Sequence, residues 1–355
     1  MGDPGFQVVR DSPNLKVLAN GNVLPEVTML AILSINASDY VEGASVFTLT
    51  INDWDSKLQS FKGTDTQLDV GTQIEIRVGY VDTMTSLLAG EVTAIEPDFP
   101  DDGSPVLKIH GYDLLQRFRR GRNTRTFTNM TDSQVAEQIA RTLQLSAQTD
   151  DTQVVHEYLL QNNQTDIDFL LDRARRIRYE VVVQGRTLYF RKAANDKSQV
   201  TTLTYGLTLK SFYPRLNTLN QVSEVVVQGW DPKSKQIVTA TAQKGDETTL
   251  MGGSTLGVTA TQIAFFDTQT LMVNHALFSN GEALQIAKGK FNDMTLEYIK
   301  GEGVAVGDAT IRSGSVISLQ GLGTRFSGLY YVTSTTHVIA KTGYTTKFTA
   351  VRNAT

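Results

Sequence analysis

The sequence predicts an α+β fold, mainly β, with two strand-rich ends of similar design around a small helical insert. Three observations carry this prediction. Both ends of the 355-residue chain show the alternation and β-branched enrichment of strands. The middle changes to capped amphipathic helices followed by a hairpin pattern. A short glycine-led motif then occurs once near each end.

Residues 1–115 are assigned to the first β lobe. Within it VFTLTI (46–51), TQIEIRVGY (72–80), GEVTAIEPDF (90–99) and VLKIHGY (106–112) read as strands. PDFPDDGSP (97–105), rich in Pro, Asp and Gly, separates the last two as a hairpin tip. Residues 116–195 form the expected α+β insert. Thr131 with Gln134 is a capping-box signature, and Val135, Ala136, Ile139 and Leu143 follow on one helical face. A polar run, QNNQ, leads into the second helix. Thr165 caps it, Asp168 holds the third position, and Ile167, Leu170, Leu171, Ala174 and Ile177 form its apolar stripe. Acids at its start and Arg175, Arg176 and Arg178 at its end suit the helix dipole. YEVVV and RTLYF then pair as a hairpin across Gln184-Gly185.

Residues 196–355 are assigned to a second β lobe. QVSEVVVQGW (221–230) and IVTATA (237–242) read as strands, and the Gly- and Thr-rich stretch 245–260 as a loop. Residues 280–298 suit an extra helix, with Asn280 as cap and Ala283, Ala287, Phe291 and Leu296 on or near one face. GSVISLQG, GLYYVTSTTHVIA and YTTKFTAVR return to strand character.

The two ends echo each other. Gly71-Thr-Gln-Ile-Glu-Ile76 matches Gly314-Ser-Val-Ile-Ser-Leu319. Each precedes a glycine-led strand, at Gly90 and Gly328, that reaches a Val-Thr pair (92–93 and 332–333). Gly103 and Gly343 follow those pairs at equal spacing. A true duplication gives two similar β lobes, and a trimer of such chains presents six lobes around one axis.

Composition narrows the function classes. A formal net charge of −4 argues against a broad basic face for nucleic acid or membrane surfaces. With no cysteine there is no disulfide, thiolate metal site or thiol nucleophile. The N-terminal MGDPGFQVVRDSPN lacks a signal-peptide pattern, and no run of about 18 apolar residues is present to span a bilayer as a helix. The reading is therefore a protein made in the cytosol.

Chemistry-bearing motifs are scarce. RFRRGRNTR gathers Arg117, Arg119, Arg120, Arg122 and Arg125. Arginine suits phosphate, yet only Phe118 and Phe127 add aromatics, so a subunit interface or solvated loop is preferred over specific nucleic-acid binding. His110, His156, His275 and His337 lie far apart, without metal-ligand spacing. Asp98, Asp101 and Asp102 fall on the hairpin tip and read as solvated turn residues. GLGTRFSG (321–328) lacks the Lys-Ser/Thr of a phosphate cradle and reads as a turn. No nucleophile elbow is present. These residues assign no catalytic, cofactor or metal site.

The ordered segments LLAGEVTAIEPDF, IHGYDLLQRFRRGRNTRTF, TDSQVAEQIA, QNNQTDIDFLLDRARRIRYEVVVQGRTLYF and ALQIAKGKFNDMTLEYIKGEG, with the C-terminal strands, resemble the late control protein D family. These are central baseplate hub proteins of contractile phage tails and related injection systems. The hub portion of type VI secretion spike proteins is similar. The resemblance implies a homotrimer with two β-barrel tube lobes per chain, forming a pseudo-sixfold ring that adapts a trimeric spike to a hexameric inner tube. It implies a particle component assembled in the bacterial cytoplasm. Its partners would be the spike protein, an inner tube or tube-initiator protein, baseplate wedge proteins, and a tape-measure protein or cargo in the lumen. Because the chain stops at Thr355, the spike is expected to be a separate polypeptide. Arg117, Arg119, Arg120, Leu170, Leu171, Gly90 and Gly328 are the candidate structural or interface residues. The competing class is a tail-associated peptidoglycan or polysaccharide hydrolase, which needs a cleft with two convergent carboxylates.

Overall fold

The computed structural model describes residues 13–80, 83–267 and 269–355. The N-terminal stretch through Ser12 and the side chain of His275 lie outside the described residues. The fold is α+β and mainly β. Its first part contains β1 (Asn14–Ala19), β2 (Asn22–Val23), α1 (Glu26–Ala31), β3 (Ile32–Tyr40) and β4 (Val46–Ile51). The small hairpin β5 (Trp54–Asp55) and β6 (Ser60–Phe61) follows, then α2 (Thr64–Gln67), β7 (Gln73–Tyr80), β8 (Thr83–Asp98) and β9 (Val106–Tyr112). Strands β4, β7 and β9 bury alternate residues, as period-two patterning requires when one sheet face meets a core.

The middle part begins with a 3-10 helix (Leu114–Arg119) and continues through β10 (Asn123–Thr131), α3 (Asp132–Thr142), β11 (Ser146–Thr149) and β12 (Val155–Gln164). It ends with α4 (Asp166–Arg176), β13 (Tyr179–Gln184) and β14 (Thr187–Lys192). The Thr131–Gln134 capping box is present, and Thr165 caps α4 by accepting from the Asp168 N–H. The QNNQ run is the end of β12, paired with β10. The hairpin turn differs from expectation. Gln184 still pairs with Thr187, so the turn is Gly185-Arg186, with Gly185 at φ 58 supplying the left-handed backbone.

The last part contains β15 (Thr201–Thr204), β16 (Leu209–Leu216), β17 (Glu224–Asp231), β18 (Gln236–Gln243), α5 (Gly257–Ala264), β19 (Gln269–Ala276) and α6 (Asn280–Leu296). It closes with β20 (Ile299–Val306), β21 (Val316–Gln320), α7 (Gly323–Phe326), β22 (Gly328–Ala340) and β23 (Gly343–Arg352). Three expectations are corrected, and one strand was not anticipated. The 245–260 loop gives way to α5 at Gly257. Ser279, not Asn280, caps α6 by accepting from the Glu282 N–H at 3.1 Å. One helical turn, α7, interrupts GLGTRFSG. IKGEGVAV is a strand despite its glycines, because a Cβ on Gly301 or Gly303 would sit 2.4 Å from the Phe212 or Phe348 ring. Those glycines make room for neighbouring aromatics, which local propensity does not register.

One 13-stranded sheet joins both ends, in the order β16-β20-β23-β22-β3-β4-β9-β8-β7-β1-β2, with β21 on β22 and β15 on β21. The junction is the antiparallel pairing of β3 with β22. Separate cores lie under the first lobe, the middle part and the C-terminal strands. A further core joins β17 and β18 to α5 and α6.

The sequence echo is a backbone equivalence. Gly71 N–H donates to Val92 O at 2.8 Å and Val92 N–H to Thr72 O at 3.0 Å. In the other lobe Gly314 N–H donates to Val332 O and Val332 N–H to Ser315 O, both at 2.8 Å. Register shifts fall between Val92 and Ala94 and between Val332 and Ser334, placing the same bulge at both Val-Thr pairs. The match extends further. Bulges follow Ile32 in β3 and Leu209 in β16, and Asn52 N–H→Ala31 O corresponds to Val306 N–H→Thr208 O. The order β7-β8-β9-β4-β3 is thus repeated as β21-β22-β23-β20-β16.

Candidate functional site

The arginine cluster of the sequence is dispersed by the fold. Arg117 is held by Glu91 at 3.0 Å through Nε, which raises its pKa. Arg122 reaches the Asn163 carbonyl at 2.8 Å. Arg125 pairs with Asp166 at 2.6 Å and lies over the Phe127 ring. Arg119 and Arg120 are exposed, whereas the others are engaged internally, so the run offers no continuous phosphate-binding face.

The second arginine run ties the middle part to its neighbours. Arg173 donates to both Asp132 oxygens, at 2.6 and 3.1 Å, and the His156 ring closes this buried cluster. Burial alone would raise Asp132, but the His156 hydrogen bond and the Arg173 guanidinium hold its carboxyl below the usual range. Beyond α4's own core, Arg175 reaches Glu42 of the first lobe at 3.0 Å. Arg176 and Arg178 reach Glu282 and Asp293 of α6 at 3.3 and 3.2 Å. The sequence pattern accounts for these arginines only through the helix dipole. Sequence separations above 100 residues hid their partners.

The other candidates have internal positions. Leu170 and Leu171 are buried in the core of the middle part. A Cβ on Gly90 would lie 2.2 Å from Tyr112 O, so the glycine permits close approach of β8 to the end of β9. Gly328, at φ 139, faces the Arg352 guanidinium, whose central carbon would lie 2.6 Å from a Cβ at this position. Asp98, Asp101 and Asp102 stay exposed at the hairpin tip, with Lys108 on Asp98 at 3.1 Å. Among the described residues no group of three or more His, Asp or Glu could hold a metal ion.

A cleft of about 730 Å³ between the first lobe, the middle part and α6 is lined by four acidic residues, Glu42, Glu180, Asp293 and Glu297. Of these, Glu180 and Asp293 both act on the largely buried Arg178 side chain, which also lines the cleft. Desolvation pushes the Glu180 carboxyl up to about 7 despite Arg191 at 3.3 Å. Asp293 is engaged by Arg178.

His337 illustrates a buried structural imidazole. Its Nε2–H donates to Ile311 O at 3.0 Å, and Nδ1 accepts from the Tyr344 hydroxyl at 2.8 Å. Burial lowers its pKa to about 4.

This duplicated-lobe architecture is the fold of phage tail and secretion-system spike proteins. The 43 kDa tail protein of prophage MuSo2 from Shewanella oneidensis matches with a TM-score of 0.70 at 13% identity, covering 96% of this chain and 98% of that one. A tail protein from Neisseria meningitidis MC58 matches at 0.69 and 12% identity, covering 96% and 97%. An Escherichia coli component of the type VI secretion system matches at 0.59 and 11%, covering 96% and 77%. The chain belongs to the Alg8 N-terminal domain family, matched over residues 10–341. No curated protein sequence matches it.

Proposed function

We propose that this protein is the structural hub of a contractile-tail or injection-system baseplate, adapting a trimeric spike to a hexameric inner tube. The observation that carries the reading is the repeated five-strand unit with matching bulges and hydrogen bonds. Two equivalent lobes per chain yield six equivalent surfaces in a homotrimer, the number a sixfold tube requires. The division at 115/116 and 195/196 and a barrel form of each lobe belong to the same reading. So do spike, tube or tube-initiator, wedge, and tape-measure or cargo partners. Exposed Arg119 and Arg120 are the candidates left available for a neighbour. Light scattering on the purified protein with its spike partner should give three copies of this chain. A stable dimer or tetramer would sink the proposal.

The hydrolase reading rests on Glu180 and Asp293 in one cleft, both raised by burial, to about 7 and about 6. Each is engaged by an arginine that braces the fold, which favours a structural role. No turnover of peptidoglycan or polysaccharide is expected. Turnover abolished by Glu180→Gln would reverse the preference.

A further inference from the structure

The two lobes are equivalent in strand order but not in what their edges meet. In the C-terminal lobe β22 is paired on one edge along its whole length, first with β21 and then, past the Thr333 bulge, with β3 of the other lobe. In the first lobe β7 covers β8 only through Glu91. Past the equivalent Thr93 bulge, β8 pairs with β9 alone among the described residues. The counterpart of β3 is β16, which ends the sheet; Leu209 at its start bridges Tyr205, and among the described residues 211–216 pair only with β20. Each chain therefore carries one filled lobe-to-lobe junction and the two unfilled halves of a second.

We propose that β16 of one chain pairs antiparallel with residues 94–100 of β8 and its extension in a second copy, reproducing the β3–β22 junction between chains. This rests on the hub reading and names the surfaces through which its copies meet. The register follows from the equivalences already described, Thr333 with Thr93 and Leu209 with Ile32. Copying Ser334↔Tyr40 through Ala340↔Ser34 places Ile95 opposite Leu216, Glu96 opposite Arg215, Asp98 opposite Tyr213 and Phe99 opposite Phe212. The chemistry of the two edges agrees with this register. Ion-pair partners coincide where the filled junction has the Ser38–Thr336 hydrogen bond at 2.9 Å. Phe99, 59% exposed although its ring already meets Trp54 at 5.5 Å, gains cover beside the core ring Phe212, and Tyr213, 74% exposed, gains a neighbouring strand. Pro97 falls opposite Pro214. Neither donates an N–H, so the ladder divides into a block on each side, and both edges are poor templates for unspecific pairing.

The absence of native cysteine makes cross-linking direct. Glu96→Cys with Arg215→Cys should form an interchain disulfide under mild oxidation, because directly opposed Cα atoms lie within disulfide range. Glu96→Cys with Lys210→Cys, five residues out of register, should not. A product closed at three chains supports both the edge contact and the hub reading. An open ladder of products supports the edge contact and rejects the trimer. A trimer by light scattering without the 96–215 cross-link overturns the edge contact and leaves the trimer standing. Monomer without cross-link overturns both. As a second measurement, Glu96→Arg should weaken association at least tenfold, and adding Arg215→Glu should restore it. Equal association by all three proteins would reject the register.

Discussion

Acidification should loosen the junction between the lobes through His337. This residue lies in β22 opposite Ala37 of β3, and both ring nitrogens are hydrogen-bonded in the neutral tautomer. A second ring proton would face the Tyr344 hydroxyl, which must then reverse to accept. Burial is the main reason that the folded pKa sits near 4, against an ordinary value of 6.5, with Arg312 opposing protonation and Asp39 favouring it. Above pH 6.5 the imidazole is neutral in both states and its full contribution is present. Between 6.5 and 4 the unfolded chain binds a proton that the folded chain refuses, so stability falls as pH falls. The loss reaches about 1.4 kcal/mol at pH 5.5 and about 3 kcal/mol near pH 4. Against a net stability of roughly 5–15 kcal/mol this is measurable. Urea unfolding followed by circular dichroism from pH 7.5 to 4.5 should show the loss in the native protein and a shallower one in His337→Gln. Carboxylates titrate alike in both, so the difference isolates His337. Parallel pH profiles would refute the assignment.

Leu170→Asp puts a carboxylate into the core of the middle part at a cost of several kcal/mol, and hydrogen exchange should quicken across residues 166–192. Limited proteolysis should leave a protected fragment beginning near residue 200; loss of the whole fold in one transition would show instead that the middle part shares a single cooperative core. Glu180 works in the opposite sense to His337. With its folded pKa raised to about 7, its contribution is complete below the unfolded value of 4.5 and is lost as pH rises through 7. Glu180→Gln should therefore be more stable than the native protein at pH 8, by up to about 3 kcal/mol, with the gap closing toward pH 5. A gap that is constant with pH in thermal melts would contradict the raised pKa.

Local patterning determined much of this protein. Alternation marked β4, β7 and β9, the capping residues marked α3 and α4, and the glycine-led motif marked two equivalent units. These signals are short-range, because side-chain periodicity and caps depend on residues a few positions apart. Tertiary structure decided the rest. IKGEGVAV becomes a strand only because Phe212 and Phe348 fill the space above its glycines. Arg176 and Arg178 find carboxylates on a helix more than 100 residues away, and Arg117 and Arg125 of the apparent arginine patch are drawn off to Glu91 and Asp166. The pairing of β3 with β22, which leaves β16 and the far half of β8 without counterparts, joins segments almost 300 residues apart. No local spacing encodes which edges meet, because register between distant strands is set by the packing of both faces at once.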